Sequence, residues 1–260
     1  MTSFKLAIGQ SPAELASPQD RLAWLAKVLA SVADQRADLL LLPELYACGY
    51  NIGAAVAQLA EPSDGPQAAA IRMLAAAHGV AIHYGYAERS GAQIYNSAQC
   101  FGPDGALLGH QRKLVIPPGY ERGQFVAGQK ANLFTYRGMT IATLICYDAE
   151  FPETVRHVAA RGAELVLVPT ALGAQWGWVS RTMIPTRAYE NGVFLAYANS
   201  AGIENGMAFL GESVVAAPDG SEVARAGAGP EILFAVLDPA RIGAAQARLP
   251  YLQDRMTLDL

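Results

Sequence analysis

Three residues that can take part in nucleophilic catalysis follow strand-like segments at separate places in the chain. Glu44 comes after the run LLLLP, Lys113 follows GHQR, and Cys146 closes MTIATLIC. Taken singly, such a Glu fits a solvated loop, such a Lys fits the surface, and such a Cys fits a small buried apolar position. Taken together they indicate a nucleophilic site. A carboxylate can accept the thiol proton, and an ammonium can lower the thiol pKa and stabilise an oxyanion.

Other arrangements for nucleophilic or metal chemistry find no support in the sequence. The four histidines are His78, His83, His110 and His157, and none stands at a strand end beside a Ser or Cys signature. The chain has no G-x-S-x-G segment and no His or Cys spacing of a zinc site. We therefore expect neither a metal nor a cofactor.

Short apolar runs alternate with amphipathic stretches along the chain, which predicts an α/β protein with helices outside a sheet of parallel and antiparallel pairs. Predicted strands are 4–8, 39–42, 80–86, 93–101, 139–145, 165–168 and 193–198, with more strands after the turn at 103–105 and between 208 and 237. Predicted helices are 18–37, 67–78, 153–161 and 181–191. Gly79 is predicted to cap the second helix, and residues after Pro239 are expected to be mostly irregular. Reactive groups of such sheets gather at the carboxyl ends of strands, where all three candidate residues lie.

The composition narrows the protein class. Of 260 residues, 52% are hydrophobic and 16% charged, and the formal net charge is −4. This excludes a disordered chain and disfavours nucleic-acid binding. No linker divides residues 1–260, which we expect to form one domain. With no membrane-length apolar run, no secretory leader and only three unpatterned cysteines, we expect a cytoplasmic protein with free thiols.

The sequence resembles the nitrilase, or carbon–nitrogen hydrolase, superfamily. Its Glu, Lys and Cys motifs stand in the family's order and typical spacing, and the resemblance continues in VPTA, RAYENGVFLAYANS and GESVVAAPDG. The resemblance implies a four-layer α-β-β-α sandwich that pairs into a homodimer. It also implies Glu44 as general base, Lys113 as stabiliser of the oxyanion, and Cys146 as nucleophile.

Two further site residues follow from the same resemblance. Glu121 stands where amidases of this family commonly hold a second glutamate that orients the substrate; the alternative is a loop carboxylate beside Arg122. The backbone N–H of Tyr147, directly after Cys146, is the expected second donor to the oxyanion.

The residues after the nucleophile resemble the amidase branch of the family. They read Cys-Tyr-Asp, where nitrile-hydrolysing members typically have Cys-Trp-Glu. The segments GYNIG, YGYAER, IYNSAQ and LPYLQDR resemble 5-aminopentanamidase-type enzymes, whereas VIPPGY is more similar to the loops of carbamoyl-amide and other amidase branches. The expected function is hydrolysis of a small linear amide through a Cys thioester, with an ω-amino amide as a candidate substrate. The alternatives are an N-carbamoyl amine hydrolase with the same site and a catalytically silent binding protein.

Aromatic residues follow the catalytic segments and could form the wall of a substrate pocket. Tyr50, Phe125 and Trp176, with Trp178 nearby, would accept an aliphatic chain, or they are ordinary packing residues. Glu150 could hold a substrate ammonium or stand at the start of a helix.

Overall fold

The computed structural model describes residues 3–257, and its framework is a pair of six-stranded sheets. The strands are β1 (Phe4–Gln10), β2 (Leu39–Leu41), β3 (Ala81–Ser90), β4 (Gln93–Phe101), β5 (Leu107–Arg112), β6 (Leu133–Tyr136), β7 (Met139–Thr143), β8 (Leu165–Pro169), β9 (Phe194–Ala198), β10 (Ala201–Glu204), β11 (Met207–Leu210), β12 (Val214–Ala216), β13 (Glu222–Arg225) and β14 (Glu231–Leu237). The helices are α1 (Pro18–Asp34), α2 (Val56–Leu59), α3 (Pro66–His78), α4 (Pro152–Ala160), α5 (Ile184–Asn191), α6 (Ala240–Arg248) and α7 (Tyr251–Asp254).

Both sheets are mixed, as the sequence predicted. The first has the order β14-β1-β2-β3-β4-β5 and the second the order β13-β12-β9-β8-β7-β6. In each sheet three adjacent strands run parallel, namely β1-β2-β3 and β7-β8-β9, and every other pairing within the two sheets is antiparallel. The carboxyl ends of the parallel strands therefore lie at one edge of each sheet.

A shared apolar core holds the two sheets face to face. Leu6 and Leu39 of the first sheet belong to one buried cluster with Ile141, Leu165 and Phe194 of the second. The strands that supply them are almost continuous apolar runs because both of their faces are covered.

Helices cover the outer face of each sheet. Helices α1 and α3 pack on the first sheet through residues such as Leu25 and Ile71, and α4 and α5 pack on the second through Val155 and Ile184. The resulting layer order is α-β-β-α, which confirms the predicted four-layer sandwich. No helix within residues 3–257 is long and apolar enough to cross a membrane.

The ends of several elements differ from the sequence prediction. Helix α1 ends at Asp34 rather than at residue 37, and β3 continues to Ser90 before it turns. A π-helical turn over Val179–Met183 precedes α5 where one longer helix was expected. Gly79 does end α3 in the left-handed conformation, with φ at 65°.

The prediction of an irregular tail after Pro239 was wrong. The segment ARIGAAQAR forms α6, and α7 follows it. Its Ala, Arg and Gln residues have high helix propensity, and Ile242 is buried in the core between the sheets. One buried apolar residue gives no periodic pattern, so the sequence carried little signal of a helix here.

Candidate active site

The three candidate residues meet where strands of both sheets end. Glu44 lies in the loop after β2, Lys113 directly follows β5, and Cys146 begins a short 3₁₀ helix after β7. The Glu44 loop packs tightly on β3 at Gly85, where a Cβ would lie 2.5 Å from the Leu45 backbone nitrogen. A glycine is therefore required at that position for the loop to reach the site.

Lys113 is the centre of a buried network of charges. Its Nζ lies 2.7 Å from Glu44 Oε1 and 2.5 Å from Glu121 Oε1, and all three side chains are inaccessible to solvent. Burial alone would lower the pKa of Lys113, but the negative charges of Glu44 and Glu121 outweigh it and hold that pKa above its usual value. Lys113 is therefore a fixed cation with two carboxylate partners.

Only one of the two carboxylate oxygens of Glu44 accepts hydrogen bonds from the described residues. Its Oε1 accepts from Lys113 Nζ and, at 2.7 Å, from Asn96 Nδ2, whereas its buried Oε2 has no hydrogen-bond partner among residues 3–257. Burial and the charge of Glu121 raise the pKa of Glu44 to about 7, against the opposing effect of Lys113. A carboxylate with a free oxygen and a pKa near neutrality is suited to act as a general base.

Cys146 lies in a strained turn at the start of its 3₁₀ helix. Its φ is 48°, in the left-handed region that non-glycine residues rarely adopt. Burial and the nearby Glu44 charge raise the thiol pKa well above its ordinary value, while Lys113 and a hydrogen bond from Thr170 lower it. The proton of the resting thiol must therefore be taken by a neighbouring base before the sulfur can attack.

Thr170 and Asn96 belong to the site, and they were missed as site residues in the sequence. Thr170 Oγ1 donates to Cys146 Sγ at 3.0 Å and lies 2.9 Å from the hydroxyl of Tyr197. Asn96 Nδ2 bridges Glu44 and Glu121, at 2.7 and 3.1 Å. Thr170 directly follows β8 within VPTA, so the rule of strand ends could have found it.

Asp148 joins the turn at Cys146 to the segment that follows Lys113 through hydrogen bonds. Its buried carboxylate accepts backbone N–H groups from Ile145 at 3.0 Å, Leu114 at 3.0 Å and Val115 at 2.8 Å. Burial raises the pKa of Asp148 to about 6, in spite of these bonds and the charge of Lys113. One side chain thus fixes the spacing between two parts of the site.

A cavity of about 360 Å³ opens onto Cys146. Tyr50 and Trp176, which were expected in the pocket wall, line it, and so do Tyr147 and Glu150. Phe125 is 6% exposed and packs instead in an apolar cluster with residues such as Leu45 and Cys48. Trp178 is 71% exposed and does not line this cavity.

Glu121 is joined to the cavity wall through Tyr50. The Tyr50 hydroxyl donates to Glu121 Oε1 at 2.9 Å, while Asn96 Nδ2 donates to the other carboxylate oxygen. Glu121 is thus buried in the charge network with Lys113, which the alternative of a loop carboxylate paired with Arg122 did not anticipate. Within residues 3–257, no group of three or more His, Cys, Asp or Glu side chains has the arrangement of a metal site.

Comparison with known sequences points to one family. A sequence model described as carbon-nitrogen hydrolase matches residues 5–247. A Pseudomonas protegens protein named hydrolase in pqqF 5′ region is 41% identical over 256 residues, covering 97% of this chain and 89% of that protein. An (R)-stereoselective amidase of a Pseudomonas species is 35% identical, covering 84% of this chain and 79% of that protein.

Solved structures give the same result. A double mutant of the amidase from Nesterenkonia sp. AN1, in complex with acrylamide, superposes with a TM-score of 0.89 at 34% identity and covers 97% of this chain and 94% of that one. Another mutant of that amidase, with the acetamide moiety of fluoroacetamide added covalently at its active-site cysteine, has a TM-score of 0.86 at 33% identity. It covers 97% of each chain.

Proposed function

The chain belongs to the carbon–nitrogen hydrolase family, in its amidase branch, and from that premise we propose that it hydrolyses a small linear amide through a thioester on Cys146. The observation that carries the proposal is the free Oε2 of Glu44, a buried base whose other oxygen is held by Lys113 and Asn96. It stands in the same charge network as the thiol.

Acylation begins at the Cys146 thiol. Glu44 Oε2 accepts the thiol proton while Sγ attacks the amide carbon, forming the C–S bond and leaving the negative charge on the carbonyl oxygen. An ammonium has three N–H donors, and two of those on Lys113 are used by Glu44 and Glu121. The third N–H of Lys113 and the backbone N–H of Tyr147 are left for the oxyanion.

The amide nitrogen then leaves as ammonia. Glu44 returns its proton to the nitrogen as the C–N bond breaks, and Glu121 holds that nitrogen in line. Water attacks the thioester in the second half of the reaction, with Glu44 accepting a proton from it. The C–S bond breaks, the carboxylic acid departs, and the thiol regains its proton.

An ω-amino amide is the substrate we propose, and Glu150 supports it. Glu150 is the one charged side chain among the cavity-lining residues that the structure describes, which also include the aromatic residues Tyr147 and Trp176. Burial raises the pKa of Glu150, since the carboxylate lacks full solvation there. The positive charge of a substrate ammonium would compensate the carboxylate for the water it has lost. Aromatic faces also attract cations. Glu150 is four positions after Cys146 in the 3₁₀ helix, a rise of roughly 8 Å along the backbone, which suits an extended short acyl chain.

Ammonia release from a matched panel tests the reaction and the substrate together. We expect 5-aminopentanamide to be hydrolysed faster than pentanamide, and glutaramate to be poor because its carboxylate would face Glu150. Glu150→Gln should reduce the preference for the amino amide at least tenfold and leave pentanamide nearly unchanged. Equal rates on all three amides would refute the cationic specificity, and faster release of ammonia with carbon dioxide from N-carbamoyl amines would favour the alternative substrate.

The identity of the nucleophile is tested by exchanging two buried cysteines in turn. Cys146→Ser should abolish turnover with the fold intact, because a hydroxyl is far less acidic than a thiol. Cys48→Ser is the matched control and should remain active. A quenched reaction should carry an acyl group on the peptide that contains Cys146; loss of activity in both variants, or in Cys48→Ser alone, would contradict the assignment.

We also propose that residues 1–260 form one domain, that the protein is a homodimer and that it is located in the cytoplasm. The resemblance to the family supports the dimer, which sedimentation equilibrium tests directly. Cys48, Cys100 and Cys146 are buried free thiols, the state that a reducing compartment maintains.

A further inference from the structure

A small hairpin outside the two large sheets closes one side of the cavity. Strands β10 and β11 pair only with each other among the strands the structure describes, in register from Ala201↔Leu210 to Glu204↔Met207. Met207 of the hairpin lines the cavity, and the ring of Phe209 lies 6.3 Å from that of Tyr50 in an edge-to-face arrangement. The hairpin thus meets the loop that carries Tyr50.

Glu204, at the end of β10, binds that loop through its carboxylate. Its Oε2 accepts the backbone N–H groups of Tyr50 at 2.9 Å and of Asn51 at 2.6 Å, and its Oε1 accepts from Arg21 Nη2 at 2.9 Å. Asn51 Nδ2 donates in return to the Glu204 backbone oxygen, at 3.1 Å. The residue is 7% exposed, so water does not replace these bonds.

The backbone at Gly49 lies very close to the carboxylate of Glu204. It has φ at 99°, and a Cβ at this position would lie 2.5 Å from Glu204 Oε1 and 2.9 Å from Arg21 Nη2. Any other residue at position 49 would push the carboxylate away from the loop.

We propose that Glu204 is a positioning residue for the reaction, acting through Tyr50 on Glu121. It fixes the backbone of Tyr50, whose hydroxyl then donates to Glu121 Oε1 and whose ring forms part of the cavity wall. Loss of this restraint would let the phenol move and leave Glu121 less well placed for the amide nitrogen. The inference rests on the proposed amidase function.

A double-mutant cycle tests whether Glu204 acts through Tyr50. The variants are Glu204→Gln, Tyr50→Phe and the combination, each measured as kcat/KM on the best amide. We expect each single change to cost roughly tenfold to a hundredfold, since a misplacement of about 1 Å can cost that much. The double variant should be about as active as the less active of the two single variants, because both changes interrupt the same contacts from Glu204 through Tyr50 to Glu121. Effects that multiply would overturn the proposal.

A matched control separates positioning of Tyr50 from simple anchoring of the hairpin. Glu14 Oε1 accepts the backbone N–H of Ile203 at 2.7 Å on the same hairpin, and among the described residues Glu14 makes no hydrogen bond to the Tyr50 loop. Glu14→Gln should leave kcat/KM within about twofold, and an equal loss in Glu14→Gln and Glu204→Gln would overturn the proposal. If Glu204→Gln does not fold, Glu204→Asp, which keeps the charge and withdraws it by one methylene, takes its place in the cycle.

A second readout keeps this inference distinct from the proposed function. The rate at which iodoacetamide alkylates Cys146 measures the reactivity of the thiol and does not require turnover of an amide. Glu204→Gln and Tyr50→Phe should lower this rate by the same factor, without further loss when combined. A wild-type protein that releases no ammonia from any amide would refute the proposed function, whereas the alkylation cycle would still decide whether Glu204 and Tyr50 are coupled.

Discussion

At the scale of single residues, the proposed role of Glu44 as general base means that its ionisation sets the pH range in which Cys146 reacts. The base must be a carboxylate, and burial with the Glu121 charge raises its pKa to about 7. We therefore predict that kcat/KM rises with pH to a plateau, with a midpoint near 7, and is lost as Glu44 becomes protonated below it.

Glu121→Gln should move that midpoint to lower pH, because it removes a negative charge that raises the pKa of Glu44. The measurement is the pH profile of acylation by a reactive ester, which avoids the loss of orientation expected with amides. Amide turnover should fall more than ester turnover in this variant. A midpoint that stays in place or moves upward would contradict the electrostatic coupling.

The hydroxyl of Thr170 should stabilise the thiolate of Cys146. Thr170→Val keeps the shape of the side chain but removes the donor that lies 3.0 Å from Sγ. A hydrogen bond to a charged group contributes about 1.5–3 kcal/mol, so acylation should slow by roughly tenfold to a hundredfold. Alkylation of Cys146 by iodoacetamide should slow in parallel.

Thr143→Val is the matched control for that prediction. Thr143 Oγ1 lies 2.9 Å from His83 Nε2 between the sheets, so its loss also removes a buried hydrogen bond. We expect lower stability with nearly normal acylation. Comparable slowing in both variants would mean that Thr170 acts only through the fold.

At the scale of secondary-structure elements, Asp148 holds two loops at a fixed separation. Asp148→Ala would leave three backbone N–H groups, of Ile145, Leu114 and Val115, without their acceptor. An unpaired buried donor costs about 1–3 kcal/mol. The bond from Ile145 is buried and those from Leu114 and Val115 are partly buried, so the free energy of unfolding should fall by about 2 kcal/mol or more. Urea unfolding measures this loss, and a change below about 1 kcal/mol would mean that the loops hold each other without Asp148.

The sequence predicted the strands of the sheet centres and the residues at their carboxyl ends. Continuous apolar runs mark such strands, and Glu44 and Cys146 stand just after runs of this kind. Lys113 instead follows β5, a partly exposed strand at the edge of its sheet. Asn96 lies within β4 and carries no local signal, because its role depends on the pairing of β4 with β3 and β5. The hairpin of Glu204 was also not predicted, since its short strands form a sheet with each other alone.

The residues of the cavity wall were predicted less well than the charged residues around Lys113, because the sequence does not show which aromatic side chains are buried. The aromatic type of Tyr50, Phe125 and Trp176 fits a cavity wall and a packed core equally well. Two of the three line the cavity, and Phe125 packs behind it. Only the three-dimensional path of the loops decides between the two environments.

At the scale of the whole molecule, the two sheets share one core, which supports the proposal of a single domain. Residues of both sheets belong to the same buried cluster, and α6 adds Ile242 to it. We predict one cooperative unfolding transition, in which tryptophan fluorescence and far-ultraviolet circular dichroism change together. Two separated transitions would indicate that the halves fold independently.

The pairing of β1 with β14 constrains the order of events during protein synthesis. Phe4 pairs with Leu237 and Gln10 with Glu231, so β1 waits for a partner strand that is made much later in synthesis. Until β14 leaves the ribosome, the edge of β1 has no partner and is open to pairing with other nascent chains. Contacts between such distant segments also slow folding. The first sheet can therefore be completed only after β14 has been released, and the yield of folded protein should depend on chaperones that cover this edge.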